Sequence, residues 1–137
     1  MIVDASAVQA ILLDEPEAER FADAIAAAES PRIPASNWLE VAMKLETMVR
    51  NDQAAAAAAD DKLLRYTTGD LLRIVPFAAE HAFLARRAYR RYGKGRHPAG
   101  LNFGDCIAYA VARSENAPLL FKGNDFALTD IEPALRS

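Results

Sequence analysis

Four acidic residues, Asp4, Glu40, Asp105 and Asp125, each fall close to a predicted strand end or helix start. Carboxylates brought together repel one another and raise each other's pKa. A hard divalent cation is the simplest remedy. Mg²⁺, with Mn²⁺ as a substitute, prefers carboxylate and water oxygens. Such an ion can stabilise both the attacking and the leaving oxygen of a phosphodiester. Zinc chemistry is not indicated, because the chain has two histidines, His81 and His97, one cysteine, Cys106, and no Cys/His cluster with zinc spacing. The two histidines read as surface or helix-cap residues and Cys106 as a small core residue.

Taken singly, each acid has an ordinary explanation. Asp4 could cap the first helix. Glu40 could pair with Lys44 one turn along. Asp105 could complement a helix dipole, and Asp125 could be a turn aspartate. Their shared placement carries the functional reading.

That placement follows from the elements around them. Ile2-Val3 reads as a strand ending at Asp4. Ser6 and Gln9 have capping-box spacing, which predicts a helix from Ala7. Asp14-Glu15-Pro16 interrupts it, and a second helix carries Phe21 and Ile25 on one face. Arg32-Ile33 reads as a strand, and Ser36 as the cap of a helix with Trp38, Val41, Leu45 and Met48 inward. Glu40 lies off that stripe. Residues 53–67 are alanine-rich and helical by propensity. Leu71 to Val75 reads as a buried strand, and Ala78 to Tyr92 as a helix with Phe83 inward. A Gly/Pro loop over 93–102 leads into a helix over Gly104 to Ser114. Pro118 to Phe121 reads as a strand, Gly123-Asn124-Asp125 as a turn, and a last strand is expected near Ile131.

Strands alternating with helices imply a mostly parallel sheet covered on both faces, an α/β architecture. Ligands of such sheets sit outside the carboxyl ends of the strands. All four acids can converge there.

The 137 residues fit a single domain spanning 1–137. With 52% apolar and 26% charged residues, a packed fold is expected. One cysteine excludes a disulfide scaffold. No signal peptide or membrane span is evident, so a cytoplasmic location is expected. The net charge of −3 argues mildly against a polyanionic partner. The distribution reverses that. If four acids are neutralised in a metal site, the remainder carries −3 + 4 = +1. Residues 86–96 hold Arg86, Arg87, Arg90, Arg91, Lys94 and Arg96 and no acid. Tyr89 and Tyr92 are interleaved and could stack on bases. Arg87, Arg91, Lys94 and Arg96 are the candidate RNA contacts, against the plainer reading of a solvated helix face.

The segments Ile2-Val3-Asp4-Ala5-Ser6, Leu101-Asn102-Phe103-Gly104-Asp105-Cys106 and Leu119-Leu120-Phe121-Lys122-Gly123-Asn124-Asp125-Phe126, with the helix-borne Glu40, together resemble PIN domains. More narrowly, they resemble the VapC toxins of bacterial toxin–antitoxin pairs. The resemblance covers essentially the whole chain. It implies a three-layer α/β/α fold with a parallel sheet of four or five strands. It also implies Mg²⁺- or Mn²⁺-dependent endonucleolytic cleavage of RNA, of the transfer or ribosomal kind. A VapB-like antitoxin and a homodimer would be the protein partners. Asp4, Glu40, Asp105 and Asp125 match the family's acidic quartet, as catalytic residues and metal ligands. Ser6 and Asn102 match its supporting positions. Lys122 and Asn124 stand where many relatives carry a second acid or a threonine.

Two other readings compete. An aspartate-nucleophile phosphatase also starts with a strand ending in Asp, but wants a second Asp where this chain has Ser6. A catalytically inert PIN-like scaffold has no need of clustered negative charge. The nuclease reading implies in-line hydrolysis with departure of the 3′-oxygen. Its products should carry a 5′-phosphate and a 3′-hydroxyl; a 2′,3′-cyclic phosphate found by end-group analysis would exclude it.

Overall fold

The computed structural model describes residues 1–48 and 50–136. Its elements, in chain order, are β1 (Ile2–Val3), α1 (Ala5–Leu12), α2 (Ala18–Ala27), β2 (Arg32–Pro34), α3 (Ala35–Met48), α4 (Gln53–Thr68), β3 (Arg73–Val75), α5 (Ala79–Tyr92), α6 (Phe103–Ser114) and β4 (Leu119–Leu120). A short 3-10 turn follows over Phe126–Leu128. The strands form one parallel sheet in the order β3-β2-β1-β4.

The first strand lies inside the sheet and separates two apolar layers. Successive side chains of a strand point to opposite faces. Val3 faces a core with Val8, Ile11, Phe21, Ile25, Ile33, Val41 and Leu120, which belongs to α1 to α3 and their strands. Ile2 faces a second core with Leu101, Tyr109, Val111, Leu119 and Phe126, on the α6 side. The register Ile2↔Leu119 and Val3↔Leu120 places like-facing residues side by side. The expected three-layer α/β/α arrangement with a parallel sheet is therefore the one observed, with four strands among the described residues.

Several local expectations change. Helix α1 starts at Ala5, not Ala7, because Asp4 caps it by accepting the Ser6 N–H at 3.0 Å. Ser6 is not the cap, because its hydroxyl is turned back onto that same carboxylate. Ser36 lies inside α3, which starts directly after β2. The buried row of α3 is Asn37, Val41 and Leu45. Met48 is exposed, and Phe83, expected inward on α5, is 69% exposed. The third strand is a sheet edge with Leu71 and Ile74 exposed, and only Leu72 of that segment is in the core. Near Ile131 there is a single parallel bridge, Leu119↔Pro133, and no strand is assigned.

These layers predict unequal costs of truncation. Ile33→Ala should lose about 2–5 kcal/mol of stability. Phe83→Ala should change it by no more than about 0.5 kcal/mol. Urea unfolding midpoints compare the two directly, and equal losses would contradict the assignment of Phe83 to the surface.

Candidate metal centre

Each acid is delivered by a different element to the carboxyl edge of the sheet. Asp4 follows β1 directly, and its N–H donates to the Leu120 carbonyl of β4 at 2.9 Å. The residue is 4% exposed. Oδ2 accepts both the Ser6 N–H at 3.0 Å and the Ser6 hydroxyl at 2.5 Å. That hydroxyl in turn accepts the Lys122 N–H at 3.0 Å. A relay of three groups thus ties Asp4 to the segment leading to Asp125. Asp4 is the helix cap of the plainer reading and is buried as well.

Asp105 sits in the first turn of α6, in a reciprocal capping box with Asn102. The Asp105 N–H donates to Asn102 Oδ1 at 2.9 Å, and the Asn102 N–H donates to Asp105 Oδ2 at 3.0 Å. Asn102 thus engages one oxygen of Asp105 and not the other. Glu40 lies in the second turn of α3, not the first, because α3 starts earlier than expected. Its carboxyl packs over Gly104, where an added Cβ would lie 2.6 Å from Glu40 Oε2. A side chain at the position before Asp105 would displace the Glu40 carboxyl from where it now lies. Asp125 is exposed, after Gly123, whose φ of +95° makes the turn that a side chain would strain.

The electrostatics couple all four. Burial pushes the Asp4 carboxyl up to about 7, opposed by the Ser6 hydrogen bonds and assisted by the charges of Asp105 and Glu40. Glu40 is raised by partial burial and by the charge of Asp105, with Asn37 and Lys44 acting against it. Asp105 is raised by burial, eased by the Asn102 N–H, and raised again by the charge of Asp125. Convergent, mutually destabilised oxygens are the donor set a hard divalent ion needs. As the side chains stand, no group of three or more acid, histidine or cysteine residues among the described residues is placed to hold a metal ion.

Other expected positions are resolved differently. His81 Nδ1 accepts the Ala78 N–H at 2.9 Å and caps α5, and His97 Nδ1 accepts the Ala99 N–H at 3.0 Å. Both serve local structure. Cys106 is buried, and burial pushes its thiol up to about 11. Arg87, Lys94 and Arg96 are exposed, with the Arg96 guanidinium 5.5 Å from the Tyr89 ring centre. Arg91 is paired with Asp130 at 3.5 Å. Tyr92 cannot stack on a base, because it is buried against His97 and Tyr109.

Three features were not expected. Lys122 pairs with Glu15 and with Glu17, the latter at 3.4 Å, and so bolts the strand-end loop to the α1–α2 turn. Gly104 makes room for Glu40. Asn37 is fully buried beneath both, and its interruption of the Val41/Leu45 row was the available signal for it.

A family model described as PIN domain matches residues 1–132. Ribonuclease VapC28 of Mycobacterium tuberculosis is 43% identical over 136 residues, covering 98% of each chain. Ribonuclease VapC of Mycolicibacterium smegmatis is 44% identical over 131 residues, covering 96% of this chain and 97% of its own. The chain belongs to the PIN-domain family of VapC ribonucleases. The crystal structure of M. tuberculosis VapC20, described as a Sarcin-Ricin loop cleaving toxin, superposes with a TM-score of 0.70 over 95% of each chain at 18% identity. That likeness confirms the PIN fold.

The raised Asp4 pKa in this VapC-type PIN domain has a consequence for the metal-free protein. Asp4 in the folded state holds a proton that the unfolded chain releases above its ordinary value of 3.8. Its contribution to stability is present below that value and is lost as pH rises through about 7. In chelator, wild-type stability should fall by up to ~1.4 kcal/mol per pH unit across this window. Asp4→Asn should fall less steeply and melt above wild type at about pH 8. Thermal melts between about pH 4 and about pH 8 check this, and parallel slopes would remove Asp4 as the titrating group.

Proposed function

We propose that this VapC-type PIN domain is an Mg²⁺-dependent endoribonuclease, with Mn²⁺ able to substitute, acting as the toxin of a toxin–antitoxin pair. The observation that carries the reading is the charge coupling of four carboxylates from four separate elements at one sheet edge. Asp4, Glu40 and Asp105 would hold the cation, with Asp125 assisting directly or through water. When bound, the cation supplies charge stabilisation at the phosphate undergoing substitution.

The protein's own groups set the geometry for that substitution. Ser6 holds one oxygen of Asp4. Asn102 holds one oxygen of Asp105 and leaves the other available. Asp125 and Glu40, exposed at the rim, are the acids an entering strand meets first. Water replaces the 3′-oxygen at phosphorus, and neither histidine is needed as a base because both ring nitrogens in question cap backbone groups.

The exposed bases of α5 and its following loop, Arg86, Arg87, Arg90, Lys94 and Arg96, support an RNA path that ends at Asn102. Arg91 has a weaker claim because Asp130 already engages it. Structured RNA of the translation machinery, transfer or ribosomal, is the substrate class, and the cytoplasm the place of action. A VapB-like antitoxin is the neutralising partner. The exposed apolar side chains Leu39, Met43, Phe83 and Phe103 support a homodimer.

Purified wild type and Asp4→Asn, each with Mg²⁺, Mn²⁺ or EDTA on total transfer RNA, test the proposal. Wild type should cleave only with metal, and Asp4→Asn should be slower by about a hundredfold or more, since even supporting residues of a metal site are worth roughly 10–100-fold. Equal cleavage by both proteins would refute the assignment of Asp4.

A further inference from the structure

Asn37 is the one fully buried polar side chain of α3, with no exposed surface. Its Nδ2 donates to the Gly104 carbonyl of α6 at 3.1 Å, across 67 positions of sequence. Gly104 is inside a regular helix, where its carbonyl also receives the N–H four residues on. The bond from Asn37 is therefore an addition to a carbonyl already satisfied. Asn37 Oδ1 is buried with no hydrogen-bond partner among the described residues. A buried amide with one unmet acceptor costs stability compared with an apolar side chain of its size. Backbone satisfaction and core packing thus do not account for an asparagine in this place.

Its position does. Asn37 is one turn before Glu40 on α3, and its partner Gly104 is the residue before Asp105 on α6. Gly104 is also the residue over which the Glu40 carboxyl packs, where an added Cβ would push that carboxyl aside. One side chain therefore bonds the backbone beside Asp105 and stands on the same helix, three residues before Glu40. It joins the two helices where their relative height sets the Glu40 to Asp105 spacing.

We infer that Asn37 is a positioning residue of the metal centre, locking α3 to the start of α6 so that Glu40 and Asp105 present their oxygens to one cation. The role rests on the metal-dependent reading above. Asn37 itself contacts neither cation nor RNA in this role. It acts through Glu40 and the Gly104–Asp105 backbone.

Calorimetric Mn²⁺ titration of wild type, Asn37→Leu, Glu40→Gln and the double variant tests it, with kcat/KM and thermal melts alongside. Asn37→Leu should keep or raise the melting temperature while weakening Mn²⁺ by about 10–100-fold, the loss typical of residues that orient metal ligands. Added to Glu40→Gln, it should weaken Mn²⁺ by clearly less than it does in wild type. Asn37→Ala, which adds no bulk, replaces the leucine variant if that one does not fold. Mn²⁺ affinity within about twofold of wild type in a folded Asn37 variant, or full additivity with Glu40→Gln, overturns the positioning role and leaves the nuclease reading intact. A wild type that binds no Mn²⁺ overturns both.

Discussion

A carboxyl group taken out of water at the end of an inner strand has to be compensated, and much of the molecule is arranged around that requirement at Asp4. The Ser6 amide and hydroxyl supply two donors, and the Lys122 amide orients the hydroxyl. These bonds lower the cost without removing it, because the neighbouring charges of Asp105 and Glu40 push the other way. The folded chain thus keeps acids at one sheet edge whose charges disfavour one another. Such an arrangement is unfavourable for the protein alone and favourable for a bound cation. Asn37 ties α3, the helix of Glu40, to the first turn of α6, which carries Asp105.

The parts of this arrangement visible in the sequence were those encoded by nearest neighbours. The strand end at Asp4 and the helix bearing Asp105 are local patterns that the structure keeps, with β4 stopping at Leu120 and α6 starting at Phe103; the Asn102–Asp105 capping box was not read. The four acids could be assigned to one edge because parallel crossovers bring all strand-following loops to the same side. Helical phase was less legible. Trp38 pulled the inferred inward row of α3 one residue along, which hid Asn37 and placed Met48 inside. A bulky residue at a row's margin outweighs a small polar one at its centre in any periodicity argument. Phe83 misled in the same way, since apolarity alone does not orient a side chain.

Long-range pairing was not legible at all. Lys122 stood out in sequence only as an unusual residue near the last acid. In the structure it reaches across 107 positions to Glu15, with Glu17 close by. Part of the acidic excess of the first thirty residues is therefore spent on anchoring the loop that bears Asp125. The basic run of α5 is likewise divided. Arg91 is held by Asp130 and Arg96 lies over Tyr89, while Arg86, Arg87 and Lys94 face solvent. A charge count of that helix overstates what is available to a polyanion.

The sheet order gives the acidic site a property in time as well as in space. The first strand is paired on one side by β2 and on the other by β4, and the Asp4 N–H is bonded to β4 itself. The last strand to leave the ribosome is thus the one that closes the site, and Asp125 is made after it. A chain still under synthesis has three of its four acids but neither the fourth nor the strand that seats the first. Assembly of the acidic edge therefore waits on the pairing of β4 with β1, whatever the order in which the other strands dock.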